Sequence, residues 1–220
     1  MSAVSRIISG SAASWSLLGV SLAAQILLVP VFLSHWEPSI YGLWIGISAL
    51  ASLIQFVDIG HHNYIGFEAL RLGADSRCEI AKLYKSGVRV ALWISAIELV
   101  AVTTFVCSGL HMHVLDVRGG DYIHLSLDAS ALLLLRTLSW LLFGNWSTVA
   151  GRVLAPFGYY PTIAWWQVAG AIVTAVAPAI AVLLGAGLLR AGVVYHLAHA
   201  LYAVPAVMYV RRTIERERLN

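Results

Sequence analysis

Long apolar runs alternate along the chain with short polar segments, and charged residues mark the boundaries of each run. A membrane-spanning helix needs about 20 mainly apolar residues, and six runs meet this requirement. They predict transmembrane helices at about 12–34, 41–61, 89–110, 127–149, 162–184 and 191–210. The runs are too long and too weakly alternating for barrel strands, and an open sheet edge cannot exist in lipid. The expected fold is an all-α polytopic membrane protein.

Composition supports this fold class. The chain is 60% hydrophobic and only 11% charged, with a mean hydropathy of +0.81. A soluble domain carries about 25% charged residues, and this chain has too few charges to cover a core in water. The lipid bilayer is therefore its expected surroundings.

The second apolar run ends in a polar group formed by Asp58, Gly60, His61 and His62. We interpret this group as the interfacial end of the second helix, where Gly60 turns the chain and Asp58 has a capping role. The polar connection that follows contains a short helical pattern, with Ile80 on its apolar face. It predicts an interfacial helix at about 75–87, which would bind either anionic lipid or a partner protein.

The distribution of lysine and arginine predicts the orientation, because cytoplasmic loops carry an excess of these residues. Eleven of the 14 fall on one side of the predicted spans, two on the other, and Arg136 lies inside. Both termini are therefore expected in the cytoplasm. The net charge of +3 is explained by this topology and requires no nucleic-acid partner.

Two ionisable residues lie at depth, Glu98 in the third predicted helix and Arg136 in the fourth. A charge in hydrocarbon is costly, so each is a candidate functional residue. One interpretation is an ion pair between them, which avoids most of the desolvation cost. The other places both beside a hydrated cavity, where Arg136 holds an anionic phosphate and Glu98 takes up a proton. Ser139 adds to the polar face around Arg136.

Two groups of histidines are candidate metal ligands. His196 and His199 share one face of the sixth helix, where inter-helical hydrogen bonding is the simpler interpretation. The outer connection at 111–124 carries three histidines and two aspartates without the spacing of a metal site. We expect no metal and no cofactor. No catalytic triad or phosphate-binding loop is evident, so an enzyme is not expected.

A set of short motifs near the N-terminus resembles one family. QILLVPVFLSHWEPSIYGLW begins at Gln25, an apolar run follows, and FVDIG closes the segment at 56–60. The ordered set, with Tyr41, Gly42, Asp58 and Gly60 as its motif positions, is similar to the start of bacterial polysaccharide (O-antigen type) flippases. These belong to the multidrug/oligosaccharidyl-lipid/polysaccharide exporter superfamily. The resemblance covers about residues 10–95.

The resemblance implies a transporter that moves a lipid-linked oligosaccharide across the bacterial inner membrane by alternating access. Such proteins have two six-helix lobes around a cationic cavity, and this chain resembles the N-terminal lobe alone. A second lobe or a homodimer would then supply the opposing wall. In this frame Arg136, Glu98 and Ser139 are the candidate substrate-binding residues. Two alternatives stay open: a multidrug/cation antiporter lobe with Glu98 as its proton site, and a non-transporting membrane subunit of cell-envelope assembly.

Overall fold

The computed structural model describes residues 3–116 and 122–219, and every regular element within them is a helix. The helices are α1 (Ala3–Leu33), α2 (Pro38–Leu72), α3 (Arg77–Cys107), α4 (Leu110–Val114), α5 (Tyr122–Ser139), α6 (Asn145–Val153), α7 (Tyr160–Leu183) and α8 (Leu188–Arg216), with a π-helix (Trp140–Gly144) between α5 and α6. We call α5, the π-helix and α6 together the fourth span. Six helices in the described ranges are long and apolar enough to cross a membrane, which confirms the all-α polytopic fold.

The second helix is longer than predicted. We expected it to end near residue 61, but α2 has 35 residues and continues to Leu72, a length of about 52 Å. The prediction was wrong because the polar group at its expected end is followed by more inward-facing apolar residues, including the buried Ile65 and Ala69. Gly60 lies within the helix and does not turn the chain.

The separate interfacial helix expected at 75–87 is also not observed. This segment forms the beginning of α3, which runs without a break from Arg77 to Cys107. Ile80 is fully buried in the bundle, and Gly87 packs closely against Ile65 of α2. The apolar face that suggested a membrane-surface helix is therefore buried against other helices.

The outer connection expected at 111–124 is partly helical, because it contains α4. His111 is buried there, and its Nε2 lies 2.8 Å from the Ser130 hydroxyl of α5. The charged residues Arg118 and Asp121 of this connection lie outside the described residues.

Two apolar cores stabilise the bundle, one toward each end. The first core includes Phe32, Trp36, Leu43, Ile47, Val102, Leu132, Leu133, Val182 and Leu188. The second core includes Ile65, Ile80, Ala91, Val149, Val153, Leu154, Val210 and Ile214. Each of α2, α3, the fourth span and α8 contributes to both cores, so the residues between them form a layer across the middle of the bundle. This layer contains nearly all the polar side chains discussed below.

The C-terminal segment packs onto the end of the bundle that contains the α2–α3 connection and the end of α8, which we call the basic end. Glu217 pairs with Arg77 at the start of α3 at 3.1 Å and accepts a hydrogen bond from the Tyr159 hydroxyl at 2.8 Å. The bond to Glu217 raises the pKa of Tyr159. Leu219 is fully buried. The residues that follow α8, from Glu217 to Leu219, are thus part of the packed structure.

Candidate functional site

The layer between the two cores, which we call the polar layer, has two parts. The carboxyl cluster lies between α2, α3 and the fourth span. It consists of Asp58, His62, Ser95, Glu98, Trp140 and Asn145. The arginine site lies between the fourth span and α8, and consists of Arg136, Ser139, Tyr195, His196 and His199.

Asp58 lies in the carboxyl cluster and not at a membrane interface. It is 0% exposed, in the middle of α2, so the expected interfacial capping role is wrong. One carboxylate oxygen accepts a hydrogen bond from Trp140 Nε1 at 2.7 Å, and the other accepts one from Asn145 Nδ2 at 2.9 Å. Two N–H donors stabilise a carboxylate at this depth, where no bulk water can do so.

Asn145 connects three helices through its side chain, which is 1% exposed. Besides Asp58, its amide nitrogen lies 2.7 Å from the Ser95 hydroxyl and 3.0 Å from the Ala91 carbonyl oxygen, both on α3. Its oxygen lies 2.7 Å from His62 Nε2. Because Asp58 and the Ala91 carbonyl can only accept, the nitrogen of Asn145 must face them, and His62 Nε2 must carry the proton.

Glu98 lies beside Asp58 and not beside Arg136. It is 5% exposed, and neither carboxyl oxygen meets hydrogen-bond geometry with any described group. The Asp58 carboxyl is close enough to interact with it electrostatically. The proposed Glu98–Arg136 ion pair is therefore wrong. Glu98 faces the carboxyl cluster, whereas Arg136 faces α8.

The π-helix places the two parts of the layer side by side. Its wide turn is closed by the bond from the Asn145 amide to the Trp140 carbonyl, five residues earlier. Gly144 makes room for the Trp140 indole, since a Cβ atom at this position would lie 2.0 Å from the ring. The tryptophan can therefore lie against the helix and reach Asp58.

Gly144→Ala is expected to destabilise the protein by about 1.5 kcal/mol, because the methyl group displaces Trp140 from Asp58. Gly60→Ala is the matched control: Gly60 is also helical but has open space where a Cβ would lie, so this change should be neutral or slightly stabilising. Thermal unfolding of both variants in detergent measures the difference. Equal stability of the two variants would contradict the packing of Trp140 against Gly144.

The arginine site holds the guanidinium against α8. Arg136 donates a hydrogen bond to the Tyr195 hydroxyl, and its guanidinium carbon lies 5.0 Å from the centre of that ring. No carboxylate in the described part of the chain pairs with it. Hydrogen bonds and a ring face hold the guanidinium but do not neutralise it, so Arg136 remains a source of positive charge in the bilayer.

The histidines of α8 differ in their contacts. His196 Nδ1 lies 3.1 Å from the Ser139 hydroxyl, which agrees with the expected inter-helical hydrogen bond. His199 Nδ1 is buried without a partner among the described residues. Within 3–116 and 122–219, no group of three or more His, Cys, Asp or Glu side chains is arranged to hold a metal ion.

Three spaces with shared lining residues lie around the arginine site. A groove of about 650 Å³ separates α1 from α2, and Arg136 and Tyr195 line it. A small cavity of about 90 Å³ shares both residues and adds Ser139, Trp140 and His199. A cleft of about 300 Å³, which shares Trp140 and His199 with that cavity, continues between the fourth span, α7 and α8.

The motif positions of the N-terminal resemblance are dispersed in the structure. Tyr41 lines the groove and packs on Phe32 with ring centroids 5.7 Å apart. Gly42 and Gly60 lie within α2, where nothing approaches the position of a Cβ atom. Of the four positions, only Asp58 belongs to the polar layer.

Sequence reasoning missed several members of the polar layer, namely Ser95, Trp140, Asn145 and Tyr195. Asn145 offered a usable signal, because an amide in a membrane span must find partners and is expected to face other helices. Trp140 offered none, since a tryptophan near a helix centre is equally typical of a lipid-facing position.

No family model, curated protein or solved structure is significantly similar to this chain. The class is therefore defined by the fold and the site alone: an all-α polytopic membrane protein with a buried polar layer.

Proposed function

We propose that the protein is a flippase-type transport lobe that moves a lipid-linked oligosaccharide across the bacterial inner membrane by alternating access. The N-terminal motifs supply the family expectation. The observation that carries the proposal is Arg136. Its guanidinium lies within the fourth span, has no carboxylate partner among the described residues and lines the groove between α1 and α2.

A lipid phosphate fits this arrangement. Arginine presents a planar fork of N–H donors that matches phosphate oxygens, and such charge-assisted bonds are strongest where water is excluded. Leu28, Val29 and Ile45 give the groove an apolar wall, as a polyprenyl chain requires, and Ser48 and Ser52 also line it. The lipid would lie between α1 and α2 with its phosphate at Arg136.

Binding of undecaprenyl phosphate to the purified chain in lipid nanodiscs tests this assignment, with uncharged undecaprenol as the reference. Wild type should bind the phosphate about tenfold more tightly than the alcohol. Arg136→Ala should lose this preference, while Arg136→Lys keeps part of it because lysine acts as a point charge. Arg89→Ala, at an exposed position on α3, is the matched control. A wild type without preference, or an unchanged Arg136→Ala, would contradict the proposal.

The carboxyl cluster supports a proton site for coupling, which is also the feature expected of a cation antiporter lobe. Asp58 accepts two N–H bonds, whereas neither Glu98 oxygen has a hydrogen-bond partner among the described residues, so Glu98 is the carboxyl that we propose as the proton site. Two adjacent carboxylates in a membrane interior would repel strongly if both were ionised. The other titratable groups that act on the cluster are His61, His62 and Arg152.

The distribution of basic residues supports a membrane orientation, and the open groove supports a partner lobe. The basic end, with the α2–α3 connection and the end of α8, is placed in the cytoplasm, as are both termini. A second lobe or a second copy of this chain would form the wall that faces the groove. Surface-polysaccharide assembly is the proposed pathway class, and a non-transporting subunit remains the outcome if transport fails.

A further inference from the structure

We infer that the cleft between the fourth span, α7 and α8 is a saccharide site, which takes the first sugar attached to the lipid phosphate. The inference deepens the proposed function and rests on it for the lipid and the phosphate. The saccharide itself is argued from the chemistry of the cleft, which combines aromatic rings with uncharged hydrogen-bonding groups.

Aromatic side chains form much of the wall. Trp166 and Tyr202 lie with ring centroids 6.0 Å apart, and Trp140 and Phe143 line the side toward the fourth span. Tyr202 is held in place, because its hydroxyl donates to the Trp166 carbonyl at 2.5 Å and its ring packs directly on Gly170. Fixed aromatic faces suit the C–H faces of a pyranose ring and bind it with little loss of side-chain freedom.

Unused polar groups complete the cleft. The Gln167 amide and the Trp166 indole N–H line the cleft, and neither makes a hydrogen bond within the described part of the chain. Such groups match the hydroxyls of a sugar, since each can donate or accept. Among the described residues that line the cleft, none is a carboxylate and one, Arg152, is a cation. This lining favours a neutral ligand rich in hydroxyl groups.

The order of the three spaces matches the order of groups in a lipid-linked saccharide. Arg136 and Tyr195 line both the groove and the small cavity, and Trp140 and His199 line both the small cavity and the cleft. A lipid chain, a phosphate and a sugar follow one another in the same sequence. The positive charge thus lies between the apolar space and the aromatic one, where a lipid-linked sugar carries its phosphate.

The test measures affinity in nanodiscs for undecaprenyl diphosphate that is bare or carries N-acetylglucosamine, glucose or galactose. At least one sugar lipid should bind wild type about tenfold more tightly than the bare lipid. Trp166→Ala should remove this gain and leave binding of the bare lipid unchanged, which also verifies that the variant is folded. Trp165→Ala is the matched control, because the Trp165 indole N–H contacts Ser9 of α1 at 3.3 Å and does not line the cleft. Gln167→Leu should reduce the gain without affecting the bare lipid.

The outcomes separate the two proposals. If none of the three sugars adds affinity, or if Trp166→Ala and Trp165→Ala behave alike, the saccharide site is wrong even where Arg136-dependent binding of the bare lipid persists. If the bare lipid diphosphate binds no better than undecaprenol, the proposed function is wrong. Tighter binding of a sugar lipid that depends on Trp166 supports the saccharide site in either case.

Discussion

Replacing Asn145 by leucine is expected to lower the free energy of unfolding by about 3 kcal/mol, the largest stability effect of any single substitution considered. Leucine has nearly the same shape but no polar atoms. The change would leave an oxygen of Asp58, the Ala91 carbonyl and the His62 Nε2 proton without their present partner, at a depth where water cannot replace it. Unsatisfied groups of this kind are costly in hydrocarbon.

Asn63→Leu is the matched control for this substitution. Asn63 lies on α2 next to His62, but its side chain is exposed and makes no hydrogen bond with a described residue. Titration with a denaturing detergent, followed by circular dichroism, compares the two variants with wild type. Similar unfolding midpoints for Asn145→Leu and Asn63→Leu would show that the amide does not hold the carboxyl cluster together.

Conversion into an amide is expected to destabilise the protein at Asp58 and to have little effect on its stability at Glu98. Asp58→Asn should cost about 2 kcal/mol, because an amide has one acceptor atom where Trp140 and Asn145 now donate to two. Glu98→Gln should change stability by less than about 0.5 kcal/mol, since neither Glu98 oxygen has a hydrogen-bond partner among the described residues to lose. Unfolding at neutral pH in detergent measures both.

A transport assay tests the role of Glu98 further. Glu98→Gln cannot release a proton, so a stable Glu98→Gln protein should lose any stimulation by a pH gradient while it still binds lipid phosphate. If Glu98→Gln is as destabilising as Asp58→Asn, the contrast between a hydrogen-bonded Asp58 and an unbonded Glu98 is wrong. If it is stable and remains stimulated by the gradient, Glu98 is not the coupling site.

The fold could be predicted from the sequence because hydropathy responds directly to the bilayer. A run of apolar residues between charges has few structures available in lipid, and the six spans follow from this constraint. The ends of the helices were less predictable. α2 continues for nearly four turns beyond Asp58. Hydropathy did not predict this, because it cannot distinguish a polar residue at an interface from one buried against another helix.

The candidate site could be predicted only in part. Glu98 and Arg136 stand out in the sequence because each is a charge within an apolar run, and both lie in the polar layer. Their partners were not predicted, because partners depend on how each helix is rotated about its axis, and a period of 3.6 residues leaves this rotation open when most faces are apolar. The π-helix at Trp140 shifts the fourth span by a further fraction of a turn, and nothing in the local sequence indicated it.

Transport in reconstituted liposomes is the most direct test of the central claim. Undecaprenyl diphosphate that carries a sugar is placed in liposomes with the purified chain, and the sugar exposed in the outer leaflet is assayed over time by an added glycosyltransferase. Wild type should move the sugar lipid between leaflets well above the rate of protein-free liposomes, and Arg136→Ala should reduce this rate about tenfold or more. Wild-type liposomes that flip no faster than empty ones, or an Arg136→Ala protein as active as wild type, would contradict the account.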